Sequence, residues 1–269
     1  MTTNTKIAKL RNTLTRVAKY FVLIAACSLF LLPLGIMVQK SLEGRGLADY
    51  LAVLTKYHLF RNFVNSSIVT VVTIVLVLVT TSLAAYAFSK MRFRFKSVLY
   101  YYVLCAIMVP TASILIPIFH IIRDLRLINN ILSLVGPYTA IIAPFNLLIL
   151  RNFMDDLPDE ILESAHIDGC NSFQLFSRIA MPLCTPALLV VIIWTFLNSW
   201  NEFIMALVFL SKSSSQTLTV IPTRFKNTFM LDLPKMYASL TIIITPVVVL
   251  YLLLQRYFQE GLTAGALKG

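Results

Sequence analysis

The residues able to do chemistry in this chain are few and unevenly placed. Of its 12 carboxylates, six fall between positions 155 and 168: Asp155, Asp156, Asp159, Glu160, Glu163 and Asp168. A second polar group, Asn198, Trp200, Asn201 and Glu202, sits within an otherwise apolar run. Its two amides could hydrogen-bond to a polar solute, and Trp200 offers a ring face for stacking. Glu202 could line a wet cavity, sit at a helix end near the outer surface, or bond to a partner subunit. No catalytic residue and no metal site is expected. His58, His120 and His166 have no ligand spacing, and Cys27, Cys105, Cys170 and Cys184 form no C-x-x-C pair. The phosphate loop G-x-x-x-x-G-K-[ST] is missing, so the chain does not hydrolyse ATP by that route. Neither G-x-S-x-G nor H-E-x-x-H occurs.

The elements that must position these residues are apolar. Of 269 residues, 58% are hydrophobic and 13% charged, where a soluble domain has roughly 45–50% and about 25%. Runs without Asp, Glu, Lys or Arg cover 20–39, 62–89, 97–122, 131–150 and 236–255, and 179–211 carries only Glu202. A bilayer core needs about 20 helical residues, so these runs predict six transmembrane helices. Barrel strands would be shorter and alternating. Pro110, Pro117, Pro137, Pro144 and Pro246 lie inside runs. They could be ordinary kinks, or bends that let a bundle open to each side in turn. Ile24-Ala25-Ala26-Cys27 resembles a lipoprotein cleavage box, but the apolar run continues to Gln39, which favours a retained helix.

The basic residues set the orientation. Lys6, Lys9, Arg11, Arg16 and Lys19 precede the first run, and Lys90, Arg92, Arg94 and Lys96 follow the second with no acid among them. Both segments belong in the cytoplasm. That gives a basic N-terminal segment, 1–19, one membrane domain, 20–258, and a tail, 259–269, with both termini cytoplasmic. The net charge of +11 then reflects topology and contact with membrane lipid, and no nucleic-acid partner is expected.

The acidic stretch falls in a cytoplasmic loop, 155–182. Pro158, with Asp159 and Glu160 after it, marks a helix start. Ile161, Leu162, Ala165 and Ile167 offer apolar contacts, and Gly169 ends the helix. A second helix is predicted over 172–179, with Ser172 as cap, Phe173, Phe176 and Ile179 on its surface, and Pro182 closing it. Charge alone would make this a solvated hairpin. The spacing says more. Glu163-Ser164-Ala165, three residues, Gly169, nine residues, Ile179, one residue, Met181-Pro182 closely resembles the EAA loop of binding-protein-dependent ABC importer permeases. That loop reads E-A-A-x3-G-x9-I-x-L-P, so Ser164 and Met181 are the departures. Asp168 and Phe173 resemble the carbohydrate-uptake branch. Trp200-Asn201-Glu202-Phe203 is similar to the W-N-E-F stretch of sugar-importer permeases. Residues 255–269 resemble the tail of the smaller, maltose-type permease subunit, with Glu260 where relatives often carry a basic residue.

The resemblance implies an all-α inner-membrane protein of six transmembrane helices, a transport subunit and not an enzyme. It implies a second homologous permease, two ATPase subunits and an extracytoplasmic solute-binding protein as partners. ATP and Mg would reside on the partner ATPase, and this chain would bind no cofactor. Glu163, Ser164, Ala165, Asp168, Gly169, Ile179 and Pro182 would form the coupling segment seated in an ATPase groove, with Ala165 and Gly169 allowing close approach. Asn198, Trp200, Asn201 and Glu202 would line a translocation pathway for a sugar or oligosaccharide. Gly261, Leu262, Thr263, Ala264 and Gly265 would contact the ATPases. A permease for another solute, such as glycerol phosphate or a polyamine, shares the loop. A secondary transporter would need inverted repeats and leaves the loop unexplained.

Overall fold

In the computed structural model the described residues are 2–57, 59–226 and 232–266; for 2–13, 56, 254 and 256–266 only the backbone is described. His58 therefore lies outside them. The described chain is helical: α1 (Thr2–Leu42), α2 (Leu47–Lys56) and α3 (Leu59–Lys90), then α4 (Lys96–Met108), α5 (Thr111–Asp124), α6 (Leu132–Asp155) and α7 (Asp159–Ile167). After these come α8 (Ser172–Leu183), α9 (Thr185–Asn201), α10 (Ile204–Phe209), a 3-10 segment (Leu218–Phe225) and α11 (Leu233–Ala266).

Four helical stretches are long and apolar enough to cross a bilayer: Leu14–Leu42, Leu59–Lys90, Leu132–Asp155 and Leu233–Leu253. The count reaches six when two bent pairs are taken as spans, α4 with α5 at 100° and α8 with α9 at 77°. The run 97–122 is thus not a straight helix. A 3-10 turn closes α4, and Val109 is extended (ψ 116°) before Pro110, as a residue preceding proline tends to be. The run 179–211 is also divided. Its helix begins at Thr185 and ends at Asn201, because Glu202 adopts extended backbone with ψ 131°.

The core forms where α3 lies along α6. The buried stripe of α3 holds Asn62, Asn65, Ser66, Val69, Thr70, Thr73, Val77, Thr81, Ser82 and Ala85. This three-to-four-residue period of small side chains lets the two backbones approach. In lipid such packing replaces the hydrophobic drive between helices. Thr81 donates to the carbonyl of Val77 at 2.6 Å, which satisfies its buried hydroxyl within its own helix. Asn146 of α6 donates to Thr195 of α9 at 3.0 Å, and Trp200 Nε1 donates to the carbonyl of Ile243 in α11 at 3.2 Å. The last two bonds tie α9 to α6 and to α11.

Candidate functional site

The loop after α6 folds as a hairpin of α7 and α8. Pro158 stands in extended conformation just ahead of α7, and Asp159 and Glu160 fill the first turn, where carboxylates suit the positive end of the helix dipole. The end of α3 anchors this turn. Lys90 Nζ donates to Asp159 Oδ1 at 2.7 Å and to the carbonyl of Leu157 at 2.8 Å. The hydrogen bond from Lys90, then its charge, hold the Asp159 carboxyl below the usual carboxylate range, and the charge of Arg92 adds to this.

A Schellman motif closes α7. Gly169 N–H donates to the carbonyl of His166 and Cys170 N–H to that of Ala165, each at 3.0 Å. Gly169 has φ +89°, and a Cβ there would meet nothing within 4 Å. Within this chain the glycine is required for its left-handed backbone and not for space. The cap of α8 is Asn171, not Ser172. Asn171 accepts from Gln174 N–H and Gln174 Oε1 accepts from Asn171 N–H, both at 2.9 Å, a reciprocal capping box. Ser172 is the first helical residue.

Pro182 does not close this helix either. Leu175–Ala180 form a wide π turn, Met181–Leu183 continue, and the chain bends at Cys184. A proline in a regular helix clashes with the carbonyl four residues back, and the wide turn immediately precedes Pro182.

The outer edge of the hairpin is apolar and bordered by acids. Ile167 is 86% exposed, Phe173 69% and Ile161 44%, while Glu160, Glu163, Ser164, Asp168 and Gly169 are also exposed. Inward, Leu175 and Ala180 are buried and Phe176 meets Tyr86 of α3 edge-on at 5.3 Å. Ala165 and Ile179 are half-buried, and Pro182 is exposed. The structure therefore leaves Glu163, Ser164, Asp168 and Gly169 exposed, with Glu163 on the side of the cleft toward α3, and sets Ile179 and Pro182 apart on α8. Between the hairpin and the end of α3 lies a cleft of about 800 Å³, where Lys90, Arg92 and Lys96 face Asp155, Asp159 and Glu163.

The second polar group lies at the break between α9 and α10. Glu202 Oε2 accepts from Tyr138 of α6 at 2.5 Å and from Ala206 N–H at 3.2 Å, and Oε1 accepts from Met205 N–H at 2.8 Å. The carbonyl of Glu202 accepts from Thr219 at 2.8 Å. The carboxylate thus binds the first amides of α10, which would otherwise lack partners. Trp200 corrects the expectation of a free stacking face. It is 4% exposed, stacked on Phe196 with rings 5.4 Å apart and met edge-on by Phe63 at 5.6 Å. Asn198 and Asn201 are exposed, and each donates back to the carbonyl four residues earlier, at 2.8 and 2.9 Å.

Sequence reasoning missed three residues. Lys90 read only as a topology marker, although it anchors α7. Tyr138 and Thr219, which hold Glu202, carry no local signal, since their partner is 64 and 17 residues away. Side chains of Gly261, Leu262, Thr263, Ala264 and Gly265 lie outside the described residues; the backbone of α11 is helical there. Among the described residues no group of three His, Cys, Asp or Glu side chains could hold a metal ion.

Known proteins share this chain's features over most of its length. The family described as "Binding-protein-dependent transport system inner membrane component" matches residues 78–263. The diacetylchitobiose uptake system permease protein DasC of Streptomyces coelicolor is 35% identical, over 79% of this chain and 77% of its own. The sulfoquinovosyl glycerol transport system permease protein SmoH of Agrobacterium fabrum is 31% identical, over 83% and 78%. The arabinooligosaccharides transport system permease protein AraQ of Bacillus subtilis is 31% identical, over 78% and 74%. In fold, the chain is similar to one in the crystal structure of a bacterial ABC transporter involved in the import of the acidic polysaccharide alginate. The TM-score is 0.72 at 11% identity, covering 94% of this chain and 97% of that one. The chain belongs to the family of binding-protein-dependent transport system inner membrane components, and is a multi-pass transport subunit of the inner membrane and not an enzyme.

Proposed function

We propose that this chain is one of two permease subunits in an ABC importer for a sugar or oligosaccharide, coupled to its ATPases through the α7–α8 hairpin. The observation that carries the reading is the hairpin itself. Ile161, Ile167 and Phe173 stand exposed on a turn locked by Lys90 at one end and by the Schellman and capping-box bonds at the other. Rigid, exposed apolar side chains ringed by carboxylates suit a groove with an apolar floor and a basic rim, and Glu163 can accept a charge-assisted bond there. Lys90, Arg92, Arg94 and Lys96 favour a cytoplasmic position for this end, where an ATPase with its ATP and Mg would dock. Both termini then lie on that side, and six crossings result when each bent pair counts once. The opposite end, 212–226, faces the solute-binding protein. The C-terminal tail, Gly261 to Gly265, reaches the ATPases.

Exposed amides are costly against lipid. The face of α9 bearing Asn198 and Asn201 therefore meets the second permease or the solute pathway. On that face the exposed ring is Trp194, 37% exposed and 4.6 Å from Phe145. Glu202 shapes the pathway by holding α10 in place. Closure of the ATPases moves the two hairpins together and tilts the attached spans, a rigid-body switch. The carbohydrate assignment rests on the relatives named for oligosaccharide and glycoside uptake and on the W-N-E-F stretch.

Two measurements test this reading. In the assembled complex, Glu163→Arg and Gly169→Trp are expected to abolish solute-stimulated ATP hydrolysis and uptake; normal activity in both overturns the coupling role. Uptake competition with mono- and oligosaccharides, glycerol phosphate and polyamines identifies the solute. Competition by the last two alone overturns the carbohydrate reading.

A further inference from the structure

We propose that the α3–α4 junction, together with Arg151, is a binding site for the headgroup of an anionic phospholipid. The junction reads Met91-Arg92-Phe93-Arg94-Phe95-Lys96, apolar and basic residues in strict alternation with no acid. It is not helical over 91–95. Met91, Phe93 and Phe95 are 46%, 40% and 61% exposed. On α4, Val98, Leu99, Tyr101 and Tyr102 are exposed as well. Aromatic and aliphatic side chains in this pattern belong at the acyl boundary, with the intervening cations at headgroup level.

Beside this surface is a notch of about 40 Å³ lined by Phe88, Lys96, Ser97, Tyr100, Tyr101 and Arg151. The Arg151 guanidinium lies over the Tyr100 ring, 3.9 Å from its centre. Its Nε is 3.3 Å from Asp155 Oδ2, yet that buried N–H has no aligned hydrogen-bond acceptor. Lys96 Nζ donates to the carbonyls of Ser89 and Met91, at 2.9 and 3.0 Å, so the groups it bonds to are neutral. Arg94 stacks over Phe95 at 4.8 Å. Arg94 and Arg151 thus stand against one carboxylate, Asp155, a local charge of +1 (two cations minus one acid). Arg92 and Lys96 differ, because both also line the cleft with Asp159 and Glu163. A phosphodiester supplies the missing acceptor oxygens and the missing negative charge in one group, and its acyl chains cover the aromatic side chains. A zwitterionic headgroup brings a second cation and loses that advantage.

The test uses the assembled transporter in detergent, titrated with phosphatidylglycerol or phosphatidylcholine under native mass spectrometry. The wild type is expected to bind phosphatidylglycerol roughly fivefold more tightly, since each uncompensated surface cation contributes a factor of about five. Arg94→Gln with Arg151→Gln is expected to bring the ratio close to one. Because Arg151 also packs on Tyr100, Arg94→Gln alone is the second arm, expected to lower the ratio about fivefold with unchanged melting. Arg45→Gln, near the opposite end, is expected to change nothing. Equal binding of both lipids by the wild type overturns the proposal, as does an unchanged ratio in both Arg94 variants. Loss of an ATPase subunit from Arg94→Gln with its lipid preference intact assigns the junction to a protein partner and also overturns it.

Discussion

At one end of the bundle, residues 212–226 are bolted onto α3. Asn62 donates to the carbonyls of Ser213 and Gln216, Asn65 to those of Ser214 and Gln216, and Ser66 accepts from Leu218 N–H. Arg224 crosses to the carbonyl of Tyr57, and Leu218 and Ile221 are wholly buried beneath. At the other end, the α7–α8 hairpin is held just as firmly by Lys90 and its caps, yet it turns Ile167 and Phe173 outward. Both loops are ordered by side chains reaching for backbone groups. They differ in where the apolar residues go. A loop that buries its own apolar residues is finished within the chain, whereas one that is rigid and leaves them exposed is built to meet something else.

That contrast can be broken from either side. The largest effect is expected at the sealed end. Glu202→Leu strands Tyr138 and the amides of Met205 and Ala206, and about 3 kcal/mol of stability should be lost, read as a lower melting temperature of the complex. Asn62→Ala with Asn65→Ala should cost about 2 kcal/mol and speed hydrogen exchange across 212–226 while leaving 159–183 unchanged. Gly169→Ala forces a left-handed alanine at about 1 kcal/mol. Here the pattern should invert, with faster exchange in the hairpin, weaker ATPase coupling and an intact 212–226 loop. The smallest effect is electrostatic. Because Lys90 depresses the Asp159 pKa, its stabilisation is fully present above the ordinary carboxylate value and fades only as pH falls through the depressed one. Lys90→Met should therefore raise the Asp159 pKa toward its ordinary value, visible by carbon NMR of labelled aspartate, with little change near neutrality.

Much of this was legible in the residues, and the failures share a cause. Hydropathy reports where a chain prefers oil and carries no direction, so 97–122 and 179–211 each read as one run although the chain turns sharply at Val109 and at Cys184. Pro110 was visible as a possible kink, but its 100° consequence depends on packing around it. Spacing located the hairpin and Gly169, because a helix stop and a positive φ are local demands. The cap was misplaced by one residue because asparagine and serine are nearly equal caps, and only Gln174 three positions on favours Asn171. Glu202 stood out as the lone charge in its run. Its partners were invisible, since Tyr138 and Thr219 come from separate elements.

The helix α1 has a consequence of another kind. In its most apolar 18-residue stretch no residue is buried against the rest of the chain. In water such a rod would collapse onto the bundle. In a bilayer, hydrocarbon tails wet it as well as leucines do, so its packing along α11 need cover only one side of it. Recruitment of α1 by a neighbouring subunit is then an exchange of one oily coat for another, decided by shape and by lipid entropy. Assembly of the transporter can cover the remaining faces of this helix at little thermodynamic expense.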